Sequence, residues 1–254
     1  MPISSNRNKW FICPRTAPEA QTRLFLFPYA GAGPAVFYRW ASEMPGIIEV
    51  WSAHYPGRGS RYREAPLTQI SEFAEQLSHA IQPILDRPCA FFGHSLGGLV
   101  AFELIRRLRQ QNLPQPRVLF ISGCGAPHLP HLNASICAQS DPDFMKSLQQ
   151  LNGVPSELLN QPEAMQLLLP ILRAVFEVID RYRYSPEESL HIPIVALAGL
   201  SDPRVSREHL EGWALHTEAG FQLHEFPGDH FFINTCRESV ISCISEELTT
   251  YAKK

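Results

Sequence analysis

The chain has 254 residues, enough for one α/β domain, and its 44% hydrophobic content supports a sizeable core. A net charge of −3, from 22 basic against 25 acidic residues, gives no reason to expect nucleic acid as a partner. The stretch 1–16 holds no apolar run of the length a signal peptide or membrane span needs, and six scattered cysteines without a C-x-x-C pair read as reduced thiols of a cytoplasmic protein.

No fixed-period repeat or low-complexity tract interrupts the chain. Short apolar runs rich in Val, Ile and Phe fall at 23–27, 47–53, 89–93, 117–123, 192–199 and 221–226. Each has strand length. Amphipathic helical patterns occupy 35–43, 68–86, 97–111, 206–215 and 235–251. Strands alternating with helices predict an α/β fold with a mostly parallel central sheet flanked by helices. The near-continuous apolar character of 89–92 and 192–198 suits strands buried on both faces.

The alternation lapses between Gly125 and His191. Helical patterns at 141–151, 155–159 and 163–182 stand there instead, and Pro170 is expected to kink or split the last. We read 125–190 as a helical lid over the sheet's carboxyl edge, where active-site loops gather. Extra helices packed on one face are the alternative.

Gly93-His94-Ser95-Leu96-Gly97 has the form G-x-S-x-G and joins a strand to a helix. That context separates a nucleophile elbow from a glycine-rich turn. Glycines two before and two after the serine remove side chains that would clash, and Gly98 is expected to let the helix pack closely. Ser95 then sits strained at a helix amino terminus, where partial positive charge favours a developing anion. A phosphate loop is excluded because no G-K-[ST] follows.

A serine hydroxyl needs a base, and the base an orienting acid. His230 follows the last predicted strand, where the order Ser…Asp…His places the base. His94 belongs to the elbow and is expected to point elsewhere; His79 and His224 read as structural. Asp202, directly after the strand at 192–199, is the expected acid, with Asp229 as the alternative. The oxyanion is expected between the Leu96 amide and an amide of Pro28-Tyr29-Ala30-Gly31-Ala32-Gly33, with Ala30 chosen; a simple glycine turn is the other reading. His128 and His131 have an H-x-x-H spacing without a third ligand, so no metal is expected. Arg58, Arg61 and Arg63 read as a solvated basic loop, with contact to a phosphate at the site mouth as the alternative.

With these pieces placed, the blocks LFLFPYAGAGPAVFYRW, YPGRGSRYRE, FFGHSLGGLVAFEL, SGCGAPH, ALAGLSDPRVSREHLEGW and FPGDHFFI resemble type II thioesterases, stand-alone α/β-hydrolases that accompany nonribosomal peptide and polyketide synthases. The likeness runs from about residue 22 to 250. It implies one α/β-hydrolase domain over 1–254 and hydrolysis of acyl or aminoacyl thioesters from the phosphopantetheine arm of acyl or peptidyl carrier protein domains. No cofactor is implied, the arm arriving with the substrate, and a monomer is expected without nucleic acid or membrane. The family's nucleophile, acid and base fall on Ser95, Asp202 and His230, and its oxyanion amides on Ala30 and Leu96. Family members often read R-A-D in the lid helix; this chain reads Arg173-Ala174-Val175. A carboxylesterase or lipase, an acyltransferase using the same acyl-serine, and a non-catalytic binding module are the rival functions. The last would be expected to lack Ser, Asp or His.

Overall fold

The computed structural model describes residues 8–130, 136–150 and 161–252. The helix expected at 155–159 lies outside them, as does His131.

Each apolar run becomes a strand: β2 (Thr22–Phe27), β3 (Ile48–Ala53), β4 (Cys89–His94), β5 (Leu119–Ser122), β6 (Ile194–Gly199) and β7 (Phe221–Phe226). Together with β1 (Phe11–Ile12) they form one sheet in the order β1-β3-β2-β4-β5-β6-β7. All neighbours pair in parallel except β1, which runs antiparallel to β3 through Phe11 opposite Ala53. Sequence reasoning missed β1. Two residues are too few to show a period of two, and only the exposed edge of β3 makes them a strand.

Period-two alternation divides the core. Phe25 and Phe27 of β2 face one way, into a cluster with Phe91, with Phe73 and Leu77 of α2 (Ile70–Ile81), and with Leu99 and Leu104 of α3 (Leu96–Gln110). Leu24 and Leu26 face the other way, against Trp40 of α1 (Tyr38–Glu43). Val240 and Ile244, on the carboxyl-terminal helix over Arg237–Ala252, complete that layer. The predicted helices hold, with local breaks. The first opens as a 3-10 turn at Pro34–Phe37, and the last is preceded by a separate turn at Phe232–Thr235.

Between β5 and β6 lie α4 (Asp141–Gln150) and α5 (Pro162–Arg181). Pro170 does not split α5, which runs through it as one helix of 20 residues. The reason is local: Gln166, whose carbonyl the proline leaves without its helical donor, is exposed, as is Pro170 itself. Water can satisfy what the proline leaves open. No helix among the described residues is long and apolar enough to cross a membrane.

Pro170→Ala is expected to stabilise α5 by about 1–3 kcal/mol, because proline is disfavoured by that order in a helix interior. Hydrogen exchange across 162–181 measures it; unchanged protection would show that tertiary contacts alone hold the helix.

Candidate active site

The order of the strands reverses between β2 and β4: β3 lies on one side of β2, and every later strand lies beyond β4. Loops leaving the carboxyl ends of these two strands part there, and ligands of open α/β sheets bind in that crevice. Phe27 of β2 stands opposite Gly93 of β4, so the loop Pro28–Gly33 and the turn at Ser95 begin side by side.

Ser95 has φ 54° and ψ −120°, a conformation costly for a residue with a Cβ. It is held by its own N–H, which donates to the Ser122 carbonyl at 2.8 Å, and by Gly98 N–H, which donates to the Ser95 carbonyl at 2.9 Å. The expected need for glycine is visible in distances. A Cβ on Gly93 would stand 2.2 Å from the Gly97 carbonyl oxygen, and one on Gly97 would stand 1.9 Å from that of Phe27. Gly98 makes room chiefly for Cys124, which a Cβ there would meet at 2.9 Å. The Leu96 amide opens α3 and has no carbonyl of its own helix to donate to. Ala30 lies in a turn closed by Ala32 N–H donating to the Tyr29 carbonyl at 3.1 Å.

Asp202 and His230 arrive from the ends of β6 and β7, whose pairing continues into their loops. Leu200 N–H donates to the Phe226 carbonyl and Ser201 N–H to that of Gly228, each at 2.9 Å. Gly199 lets the two loops close, since a Cβ there would meet the Asp229 carbonyl at 2.3 Å. Asp202 Oδ2 is 2.7 Å from His230 Nδ1, and both side chains are buried, 2% and 4% exposed. The other carboxylate oxygen accepts from Arg204 N–H at 2.8 Å. Asp229, the alternative acid, accepts instead from Phe231 N–H and shapes the loop. Burial pushes the His230 imidazole below the ordinary value of 6.5, outweighing the Asp202 carboxylate that favours its charged form. Its Nε2 is buried without a hydrogen-bond partner among the described residues, and Ser95 Oγ forms no hydrogen bond with it.

Ser95, Leu96 and His230 line one cavity of about 110 Å³. Its far wall is α5. Ile179 and Asp180 line the cavity itself, and the Phe176 ring lies beneath the Arg204 guanidinium at 5.9 Å. Leu172 covers the turn at Gly31, where a Cβ would meet its side chain at 2.7 Å. Leu172, Phe176, Ile179 and Asp180 recur at helical spacing, so one face of α5 spans the loops after β2, β5 and β6.

The Thioesterase domain family model matches residues 22–248. The chain belongs to this family. It is 40% identical to linear gramicidin dehydrogenase LgrE of Brevibacillus parabrevis, over 96% of this chain and 94% of LgrE. The type II thioesterase BorB from the borrelidin biosynthetic cluster superposes with a TM-score of 0.86 at 32% identity, covering 94% of this chain and 97% of BorB. YbtT, the type II thioesterase from the yersiniabactin NRPS/PKS biosynthetic pathway, gives 0.87 at 29% identity, covering 95% and 99%. Sheet and neighbours together make this an α/β-hydrolase fold.

Two features of this thioesterase differ from the sequence reading. Arg58 and Arg61 are not a solvated face. Arg61 is buried against the Trp10 ring, donates to the His54 carbonyl at 2.6 Å and pairs with Glu64, while Arg58 donates to the Pro56 carbonyl. A compact loop with its own carbonyls and a carboxylate three residues away can bury cations that spacing alone cannot place. His94 is the second. It does not simply point away: its ring lies 5.0 Å from that of His230, with Nδ1 bonded to Ser122 Oγ at 2.9 Å. The available signal was a polar residue closing a strand that is otherwise buried throughout. His128, from the H-x-x-H spacing, meets His216 at 2.8 Å. Val175, at the family's acidic position, is fully buried in the core cluster of α2 and α3.

Burial lowers the affinity of His94, His216 and His230 for protons, to about 4 for His216. Unfolded imidazoles take up protons near pH 6.5 that the folded ones refuse, so the stability these groups contribute is complete above that pH and is lost as pH falls below it. The urea midpoint is expected to stay level from pH 8 to 7 and to decline between pH 6.5 and 5. A midpoint that rises toward pH 5 would contradict this electrostatic picture.

Proposed function

We propose that the chain hydrolyses acyl and aminoacyl thioesters held on the phosphopantetheine arm of carrier proteins serving nonribosomal peptide or polyketide synthases, clearing stalled or misprimed chains. The observation that carries the reading is the buried Asp202–His230 pair at 2.7 Å, opening on the same cavity as a strained serine in a thioesterase-family chain. BorB and YbtT, type II thioesterases themselves, support the substrate class.

In this reading His230 Nε2 takes the Ser95 proton as Oγ attacks the thioester carbonyl. Asp202 holds the Nδ1–H tautomer and stabilises the imidazolium that forms. The Ala30 and Leu96 amides donate to the tetrahedral oxyanion, and its collapse expels the thiol and leaves acyl-Ser95. Water activated by His230 then releases the acid. Burial serves this chemistry, because an imidazole kept neutral at pH 7 is ready as a base. No cofactor enters the sequence of steps. The helices between β5 and β6 serve as the lid, and the protein works as a cytoplasmic monomer.

LgrE is named a dehydrogenase, but one sequence feature favours the hydrolase reading here. After β2 the chain reads Gly31-Ala32-Gly33-Pro34-Ala35-Val36, without the third glycine of a dinucleotide fingerprint.

Acyl release from a loaded, phosphopantetheinylated carrier protein tests the proposal beside nitrophenyl esters of the same acids. Carrier-bound thioesters are expected to turn over faster. Ser95→Ala is expected to lower kcat by at least about 10⁴-fold, and Asp202→Asn by a loss on the order of 10⁴-fold. Turnover of simple esters alone would make the protein an esterase, and acyl transfer to added amines in preference to water would make it an acyltransferase.

A further inference from the structure

Arg204 lines the reaction cavity and has no part in the steps above. Arg23, Arg61, Arg106 and Arg173 each hydrogen-bond a carboxylate with their guanidinium groups. Arg204 does not. Its main-chain N–H donates to Asp202, while its guanidinium meets the Phe176 ring and makes no hydrogen bond among the described residues. The side chain thus reaches from the Asp202 loop to Phe176 of α5, and Arg204 lines the same cavity as Ser95 and His230.

Charge and hydrogen bonding specify different ligands for such a group. Burial lowers the guanidinium's hold on its proton, the Asp202 carboxylate opposes that, and Asp180 adds a second carboxylate to the same cavity. A further anion is therefore not required, and an ammonium would face a like charge. Arg204 is half-buried and no described residue accepts from its guanidinium, so a substrate that displaces solvent there must bring an acceptor, because a donor desolvated without one costs about 1–3 kcal/mol. A neutral carbonyl oxygen supplies the acceptor without adding charge.

We propose that Arg204 is a specificity-determining residue that donates to a carbonyl oxygen on the acyl chain. Through it the enzyme takes N-acylaminoacyl (peptidyl) and 3-oxoacyl thioesters in preference to plain alkanoyl thioesters of equal length. The proposal rests on thioester hydrolysis at Ser95, and the closing experiment separates the two.

The experiment compares pantetheine thioesters of hexanoic acid, 3-oxohexanoic acid and N-acetylglycine at pH 8, with native enzyme, Arg204→Met and Arg204→Lys. Its readout is the ratio of kcat/KM for each carbonyl-bearing ester to that for the hexanoyl ester. Arg204→Met keeps an apolar stem without donors and is expected to lower that ratio about tenfold, the size of one charge-assisted hydrogen bond. Arg204→Lys keeps charge and donors without the planar fork and is expected to fall between. A drop for only one of the two esters identifies which carbonyl is bound. Ratios unchanged within about twofold overturn the proposal, even if all three rates fall together, since Arg204 would then act on His230 or on α5. If the Met variant is inactive on every ester, the Lys variant decides by the same ratio. Failure of the native enzyme to hydrolyse any of the three overturns thioester hydrolysis itself.

Discussion

The site depends on how closely the first turn of α3 approaches the ends of β2 and β4. Gly93 and Gly97 leave no room for a methyl group between helix and strands, so the chain reverses within one residue and that residue is Ser95. A looser turn would give the serine an ordinary backbone and carry its hydroxyl away from the crevice. The strain is of order 1–3 kcal/mol, and backbone bonds to Ser122 and Gly98 hold it in place. The same approach sets the start of α3, with its donor-rich amino end, beside the loop that leaves β2.

The Asp202–His230 pair depends on a second close contact, between the loops after β6 and β7. Main-chain bonds carry the strand pairing past the sheet edge, so a short Asp202–His230 distance comes from backbone register rather than from flexible side chains. Burial and the Asp202 carboxylate then compete for the imidazole's charge, and burial is the stronger. His94 packs against His230, and burial first and that neighbouring imidazole second hold its own proton affinity well below the ordinary value.

α5 ties these loops together. Its Val175 and Val178 belong to the main core, while Leu172 and Phe176 rest on the loops after β2 and β6. Past its carboxyl end, Tyr182 donates to Glu103 at 2.6 Å, and Arg106, buried on α3, pairs with Glu103 and Glu187 and donates to the Ser185 carbonyl. A partly buried ion cluster contributes little net stability against apolar packing, but it admits few alternative geometries. It anchors the exit from α5 to α3, the helix that follows Ser95.

Sequence by itself determined what short-range physics dictates. Apolar runs of strand length, the G-x-S-x-G turn and the loop positions of Asp202 and His230 follow from local spacing and chain order, and the parallel sheet follows from their alternation. Tertiary structure decided what depends on partners far along the chain. Phe11–Ile12 is a strand only because β3 has a free edge. Arg58 and Arg61 are buried because their loop folds back on itself and on Trp10. His94 matters because His230, 136 residues later, lies against it. Arg204 lies two residues from Asp202 in sequence, yet its place at the cavity is visible only once α5 brings Phe176 over the loop. Periodicity records which side of an element is apolar. It carries no record of which distant side chain will meet that side, because burial and hydrogen bonding are settled between segments that the chain brings together only on folding.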